Sequence, residues 1–243
     1  MPLYRDVGVV VRTHKLGETD RIITIVTQDS GKVRAVAKGV RKPGSRFGSR
    51  LEPMSHVQLQ LYRGRELDIV NQVELVEIAP NLRGSLESTT DGLAMCEMVE
   101  QLAEDRSPSP HLYRMLVGAL RQLNQSYSSL VLPALQIRLL DVEGVGPCTD
   151  RCIECGGTDE LIAFDISGGG VQCRSHRRGL SVSAESLAIL QEIQRGSVAG
   201  VLRRSNISHE SSREVSVLAR AAMEHHLERR IRASALFEVH RTA

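Results

Sequence analysis

Four residues of this chain have the types and the spacing to hold a metal ion. Cys152-Ile-Glu-Cys155-Gly-Gly is followed, after the seventeen residues 156–172, by Cys173-Arg-Ser-His176. Each short pair presents two soft donors from one turn, and two such knuckles facing each other complete the tetrahedron that Zn2+ takes with thiolate and imidazole ligands. Four protein ligands leave no position for water or substrate, so the spacing predicts one structural zinc and no metal-assisted hydrolysis. Phe164 is placed to cap the site, and Gly168-Gly169-Gly170 to turn the chain between its halves. Cys148, four residues before Cys152, is an alternative ligand, although CxxC followed by Gly is the better knuckle. Cys96 lies among Leu93, Val99 and Leu102 and reads as a small buried hydrophobe. Five cysteines without an export signal are expected as thiols or metal ligands rather than disulfides.

The second chemistry is electrostatic. The net charge is only +2, yet residues 1–80 hold thirteen Lys and Arg against nine Asp and Glu. Residues 31–50 contain Lys32, Arg34, Lys38, Arg41, Lys42, Arg46 and Arg50 and no acid. An acid-free run of this density suits a phosphate backbone better than solvated surface. Arg34 is expected to share its strand face with Lys32 and Lys38, with Val36 turned the other way. Aromatics make up 3% of the chain and Trp is absent, so Phe47 and Tyr62 are the only well-placed stacking candidates. Binding is therefore expected to be mainly electrostatic. No GxxxxGK[ST] and no HExxH occurs, Asp20 and Glu18 read as turn and salt-bridge residues, and His225 and His226 as surface or helix-packing residues, so the chain is expected not to be an enzyme.

These residues need elements to hold them. Alternating runs at 8–12, 21–27, 32–38, 56–62 and 66–75 predict five short antiparallel strands, with turns at 28–31 and 63–65. Five such strands leave two long edges unless they close, so a small OB-like barrel is expected. Residues 39–55, without a period and rich in Gly, Pro and Ser, predict a long mobile basic loop between the third and fourth strands. After Pro80 the period becomes helical, with helices expected at 85–104, 111–125, 129–143, 184–195 and 211–237. The last shows an i, i+4 stripe of Val215, Ala219, Met223, Leu227 and Ile231. The fold class expected is α+β: an N-terminal five-stranded OB-like β-barrel at 1–80, then an all-α domain at 81–147 and 180–243 with a zinc-knuckle module inserted at 148–179. No apolar run approaches the roughly 20 residues of a membrane span, so the expected location is cytoplasmic.

The order of these features resembles the bacterial recombination mediator family RecO. The run LGETDRIITIVTQDSGKVRAVAKGVRKPGSRFGSRLEP resembles that family's N-terminal signature of GE-T-D, T-x-x-x-G and A-x-G-x-R-x-x-x-S before L-E-P. GVGPCTDRCIECGG resembles its second signature, entering the zinc module. The resemblance implies a DNA repair and recombination mediator that binds single- and double-stranded DNA and anneals complementary strands without ATP. It also implies work with RecR and single-strand-binding protein to load RecA, and a nucleoid-associated location. By motif position the family's basic strand and loop correspond to Lys32, Arg34, Lys38, Arg41 and Lys42. His176 departs from the pattern, since a cysteine is common there. A zinc-ribbon RNA-binding or transcription-associated protein is the alternative, though it should show stacking aromatics or a recognition helix.

Overall fold

The computed structural model describes residues 2–233, which divide into two compact units. The first holds 2–126 and 231–233, and the second 127–230.

The first unit is built on a closed barrel of five strands: β1 (Leu3–Leu16), β2 (Asp20–Thr27), β3 (Lys32–Ala37), β4 (His56–Tyr62) and β5 (Asp68–Leu75), in the order β1-β2-β3-β5-β4. Only β3 and β5 pair in parallel, through Ala35 with Asp68 and Val36 with Ile69. That circuit is the OB arrangement. β1 is long because it serves two neighbours, pairing β4 with its first half and β2 with its second, with a register shift between Val10 and Arg12. A bulge of this kind bends a strand so that one element can close both sides of a barrel. Ile23, Ile25, Val33, Ala35, Leu59, Leu61 and Val70 fill the interior.

Residues 38–55 are not the loose loop expected. A 3-10 turn at Gly48–Leu51 breaks the segment, and Phe47 and Leu51 insert into the barrel core with 1% exposure each. Burying two large side chains removes the segment's freedom, so the loop is anchored at its middle. Phe47 is thereby lost as a stacking residue. Val36 also differs from expectation. It lies on the same outer face as Arg34, as the two-residue period of a strand requires.

Two helices complete this unit, α1 (Leu86–Leu102) and α2 (Pro110–Gln125). Ser85 caps α1 by accepting from the Ser88 N–H, and α1 packs on β1 and β2. Grouping by packing therefore differs from grouping by element type at residue 80, since both helices join the barrel's unit.

The second unit begins with α3 (Val131–Val142), continues through a small sheet of β6 (Leu161–Asp165), β7 (Gly170–Cys173) and β8 (Leu180–Ser181), and ends with α4 (Ala184–Gln194), α5 (Val198–Leu202) and α6 (His209–His226). α4 and α6 cap each other. Ser183 caps α4 and donates to Glu214 of α6, while Ser208 caps α6 and donates to Glu185 of α4. α6 ends at His226 rather than 237, because Glu228 takes a left-handed φ of 50° that no helix continues through. Ile231 of the expected stripe is buried beyond the helix, and 234–237 lie outside the described residues. No helix among the described residues is long and apolar enough to cross a membrane.

Candidate metal centre and nucleic-acid interface

The first knuckle is closed by its own backbone. The Cys152 N–H donates to the Gly157 carbonyl and the Gly156 N–H to the Cys152 carbonyl, both at 2.8 Å. The second knuckle starts at the end of β7, where a 3-10 turn over Arg174–His176 brings the imidazole back over Cys173. The two knuckles are held together at Gly170. The Cys148 carbonyl accepts from Val171, and a Cβ at residue 170 would stand 2.6 Å from that same oxygen, so only glycine fits. The approach to the site is fixed from the helices, since Gln194 of α4 donates to the Pro147 carbonyl and to Asp141 of α3 and accepts from Thr149.

Within this frame the ligand atoms of Cys152, Cys155, Cys173 and His176 all lie within 4.8 Å of one another. The Cys155 and Cys173 sulfurs are 3.9 Å apart, and His176 Nδ1 lies 3.8 Å from the Cys152 sulfur and 3.3 Å from that of Cys173. Thiolates 2.3 Å from one tetrahedral ion stand about 3.8 Å apart, so the donor set fits a single metal ion. Backbone N–H groups, that of Cys173 foremost, pull the Cys152 thiol down to about 6, and the hydrogen bond from His176 lowers Cys173. Against the Gly157 N–H the neighbouring thiols raise Cys155, and hydrogen bonds to Cys173 and Cys152 raise His176. Cys152 is buried and Cys155 exposed, so the centre sits at the surface with one ligand rooted in the unit's core. Phe164 belongs to that same core cluster. Cys148 is outside the ligand set, its thiol directed at Asp150 and the Arg151 carbonyl. Cys96 is fully buried, and burial pushes its thiol up to about 12.

The basic residues sort into two groups. Lys32 is engaged: its ammonium lies 3.3 Å from Asp105 and donates to the Glu100 carbonyl at the end of α1, leaving its side chain 20% exposed. Arg34, Lys38, Arg41, Lys42, Arg46 and Arg50 are exposed, and none forms an ion pair among the described residues. Arg46 lies over the Phe47 ring at 4.9 Å, and Arg41 and Arg50 donate to the Gly17 and Arg46 carbonyls. The turn that carries Lys38, Arg41 and Lys42 is tied to the β1–β2 turn. Asp20 accepts from the Gly39 N–H at 2.7 Å, and the Thr19 carbonyl accepts from the Arg41 N–H at 2.9 Å. The Gly39 N–H is the main reason the Asp20 carboxyl is held below its usual range. Gly39 itself needs its φ of 67° to present that N–H.

Sequence reasoning passed over Arg63 and Arg65. They flank the tip of the β4–β5 turn, exposed and without an ion pair among the described residues. The signal in the sequence is the Arg63-Gly64-Arg65 turn, which carries two cations as well as turn chemistry. Tyr62, before them, is 37% exposed on the barrel's outside.

Comparison with known proteins accords with this arrangement. Residues 1–79 match the family model described as recombination protein O N terminal, and residues 83–235 the one described as recombination protein O C terminal. A curated relative, the DNA repair protein RecO of Frankia casuarinae (strain DSM 45818 / CECT 9043 / HFP020203 / CcI3), is 43% identical over 240 residues, covering 96% of this chain and 97% of the relative.

Proposed function

The chain belongs to the RecO family of DNA repair and recombination proteins, and from that premise we propose that its barrel binds single- and double-stranded DNA and anneals complementary strands without ATP. The observation that carries this reading is the set of six exposed cations, Arg34, Lys38, Arg41, Lys42, Arg46 and Arg50, on a strand and an anchored loop of an OB barrel. Cations already spent on carboxylates would have little to offer a phosphate. None of the six is committed to a carboxylate by an ion pair among the described residues, and their loop is held in place by Phe47, Leu51 and the Asp20–Gly39 hydrogen bond, so binding costs little ordering. Lys32, tied to Asp105, serves the barrel rather than the DNA.

Annealing follows from charge. Two bare strands repel through their phosphates, and a surface that neutralises both lowers the barrier to pairing. The cluster of three thiols and an imidazole would hold one structural zinc, and with four protein ligands it would supply a cross-link between the two knuckles rather than an open position for a reaction. The protein is accordingly a mediator rather than an enzyme. It acts in the cytoplasm at the nucleoid, with RecR and single-strand-binding protein, to help load RecA on coated strands.

Arg41→Glu with Lys42→Glu tests the reading. The pair of reversals should weaken binding to single strands and to duplex alike, and preference for DNA over RNA of the same sequence should distinguish this reading from an RNA-binding one. Unchanged affinity in the double variant would contradict it.

A further inference from the structure

The registers of the barrel define one outward row that crosses its wall. Leu3 faces Tyr62, Tyr62 faces Ile69, Ile69 faces Val36, Val36 faces Ile22, and Ile22 faces His14. Directly paired residues share a face of the sheet. Their neighbours along the strands, Leu61, Val70, Ala35, Ala37 and Ile23, fill the core, so this row points outward. Leu3 is 45% and Tyr62 37% exposed, and Ile69, Val36 and Ile22 are half-buried. α1 and α2 pack on β1 and β2, and the buried residues of these strands that lie outside the barrel core cluster include Asp6, Val9, Val11, Thr24, Val26 and Thr27. Thr24, two residues from Ile22, is the nearest of them and marks the border of the strip. From Tyr62 to Ile22 the strip spans four strands, about 14 Å at a spacing of about 4.8 Å.

Cations border the strip. Arg34 stands two residues before Val36 on the same strand face, Lys38 two residues after it at the start of the following turn, Arg63 directly follows Tyr62, and Arg65 lies two residues further on. Arg5 stands two residues from Leu3. Among the described residues none of the five forms an ion pair, although Lys38 stands near the Asp20 carboxylate, and Glu66 is the exposed acid within the β4–β5 turn. The Arg63 guanidinium rests 5.3 Å from the centre of the Tyr4 ring, which positions it at the strip's end.

An exposed apolar row edged by free cations suits a ligand with flat apolar faces and regularly spaced negative charge. A single nucleic-acid strand has both. A duplex offers only the charge, because its base faces are stacked on one another. We infer that the outward row Tyr62–Ile69–Val36–Ile22 is a contact path specific for a single strand, in which Tyr62 stacks a base while Arg34, Lys38, Arg63 and Arg65 hold phosphates along its edges. The inference rests on the proposed DNA-binding role of the barrel and adds what that role leaves open, the discrimination of single strand from duplex. One aromatic on the path immobilises one base and leaves its neighbours free to pair, which suits an annealing protein.

Tyr62→Ala, Tyr62→Phe and Arg65→Ala, each checked for an unchanged melting profile, test it by titration with an oligothymidylate and with a mixed-sequence duplex. Tyr62→Ala should weaken single-strand binding roughly five- to a hundredfold, the range of one lost base–aromatic stack, and leave duplex binding unaltered. Tyr62→Phe should restore the loss, since stacking needs the ring and not the hydroxyl. Arg65→Ala should lower the single-strand salt slope by about 0.7. If Tyr62→Ala leaves single-strand affinity unaltered, or weakens both ligands equally, while Arg41→Glu/Lys42→Glu still weakens both, the path is wrong and the DNA-binding reading stands. If the double reversal is silent as well, both fail.

Discussion

The Asp20 carboxylate accepts the Gly39 N–H at 2.7 Å, and this bond ties the turn bearing Lys38, Arg41 and Lys42 to the turn between β1 and β2. The GETD and AxGxR segments, separate in sequence, are thus two halves of one junction. Asp20→Ala should free the 38–42 turn, seen as faster amide exchange at Gly39 and Arg41, and should weaken DNA binding severalfold without removing a single positive charge. The carboxyl is held below its usual range, so the anchor is fully present above the ordinary Asp value of about 3.9 and is lost only as pH falls through the lower folded value. Gly39 protection that collapses near pH 6 would contradict this assignment.

Phe47 and Leu51 close the barrel from within the basic loop. Phe47→Ala should cost about 3–5 kcal/mol, as large-to-small core changes do, read as a fall in the urea midpoint. A loop that merely lay on the surface would show a change near zero.

The metal centre makes a stoichiometric claim. Purified protein should carry about one zinc per chain, and Cys152→Ser should lose metal and solubility together, because Cys152 is both a ligand and a member of the core cluster. His176→Cys should keep the metal, since thiolate serves the same tetrahedron. Protein that is zinc-free yet stably folded would refute the site.

Six exposed cations on the strand and loop set a salt dependence. With about −0.7 per phosphate contact, these six should contribute roughly −4 to the log–log slope of single-strand affinity, to which Arg63 and Arg65 add about −1.4. Arg41→Glu/Lys42→Glu should flatten it, whereas Lys32→Ala should leave the slope unchanged and lower stability instead, since Lys32 is bound to Asp105 and the end of α1. Equal slopes for Lys32→Ala and the double reversal would undo that distinction.

Much of this was legible in the sequence, for identifiable reasons. The five strands follow from two-residue alternation, and the ligand set follows from knuckle spacing, because both are local patterns. The insertion of Phe47 and Leu51 was not legible, since a segment without a period gives no sign of which side chains turn inward. The pairing of Lys32 with Asp105 joins residues far apart in sequence, so the basic run alone could not separate it from Arg34. The end of α6 was overrun because the apolar stripe continues to Ile231, which is buried but lies past the left-handed turn at Glu228. The outward apolar row needs the registers of all five strands, and no single strand displays it.

The central claim is that charge neutralisation on this barrel lets complementary strands pair without nucleotide hydrolysis. Mixing two labelled complementary oligonucleotides and following their pairing by energy transfer measures it directly. With the protein present at concentrations where binding is demonstrated, pairing should be faster than without it, indifferent to ATP, and progressively lost as salt rises through the physiological range. Equal pairing rates with and without the protein at low salt would contradict the account and leave a passive DNA-binding module.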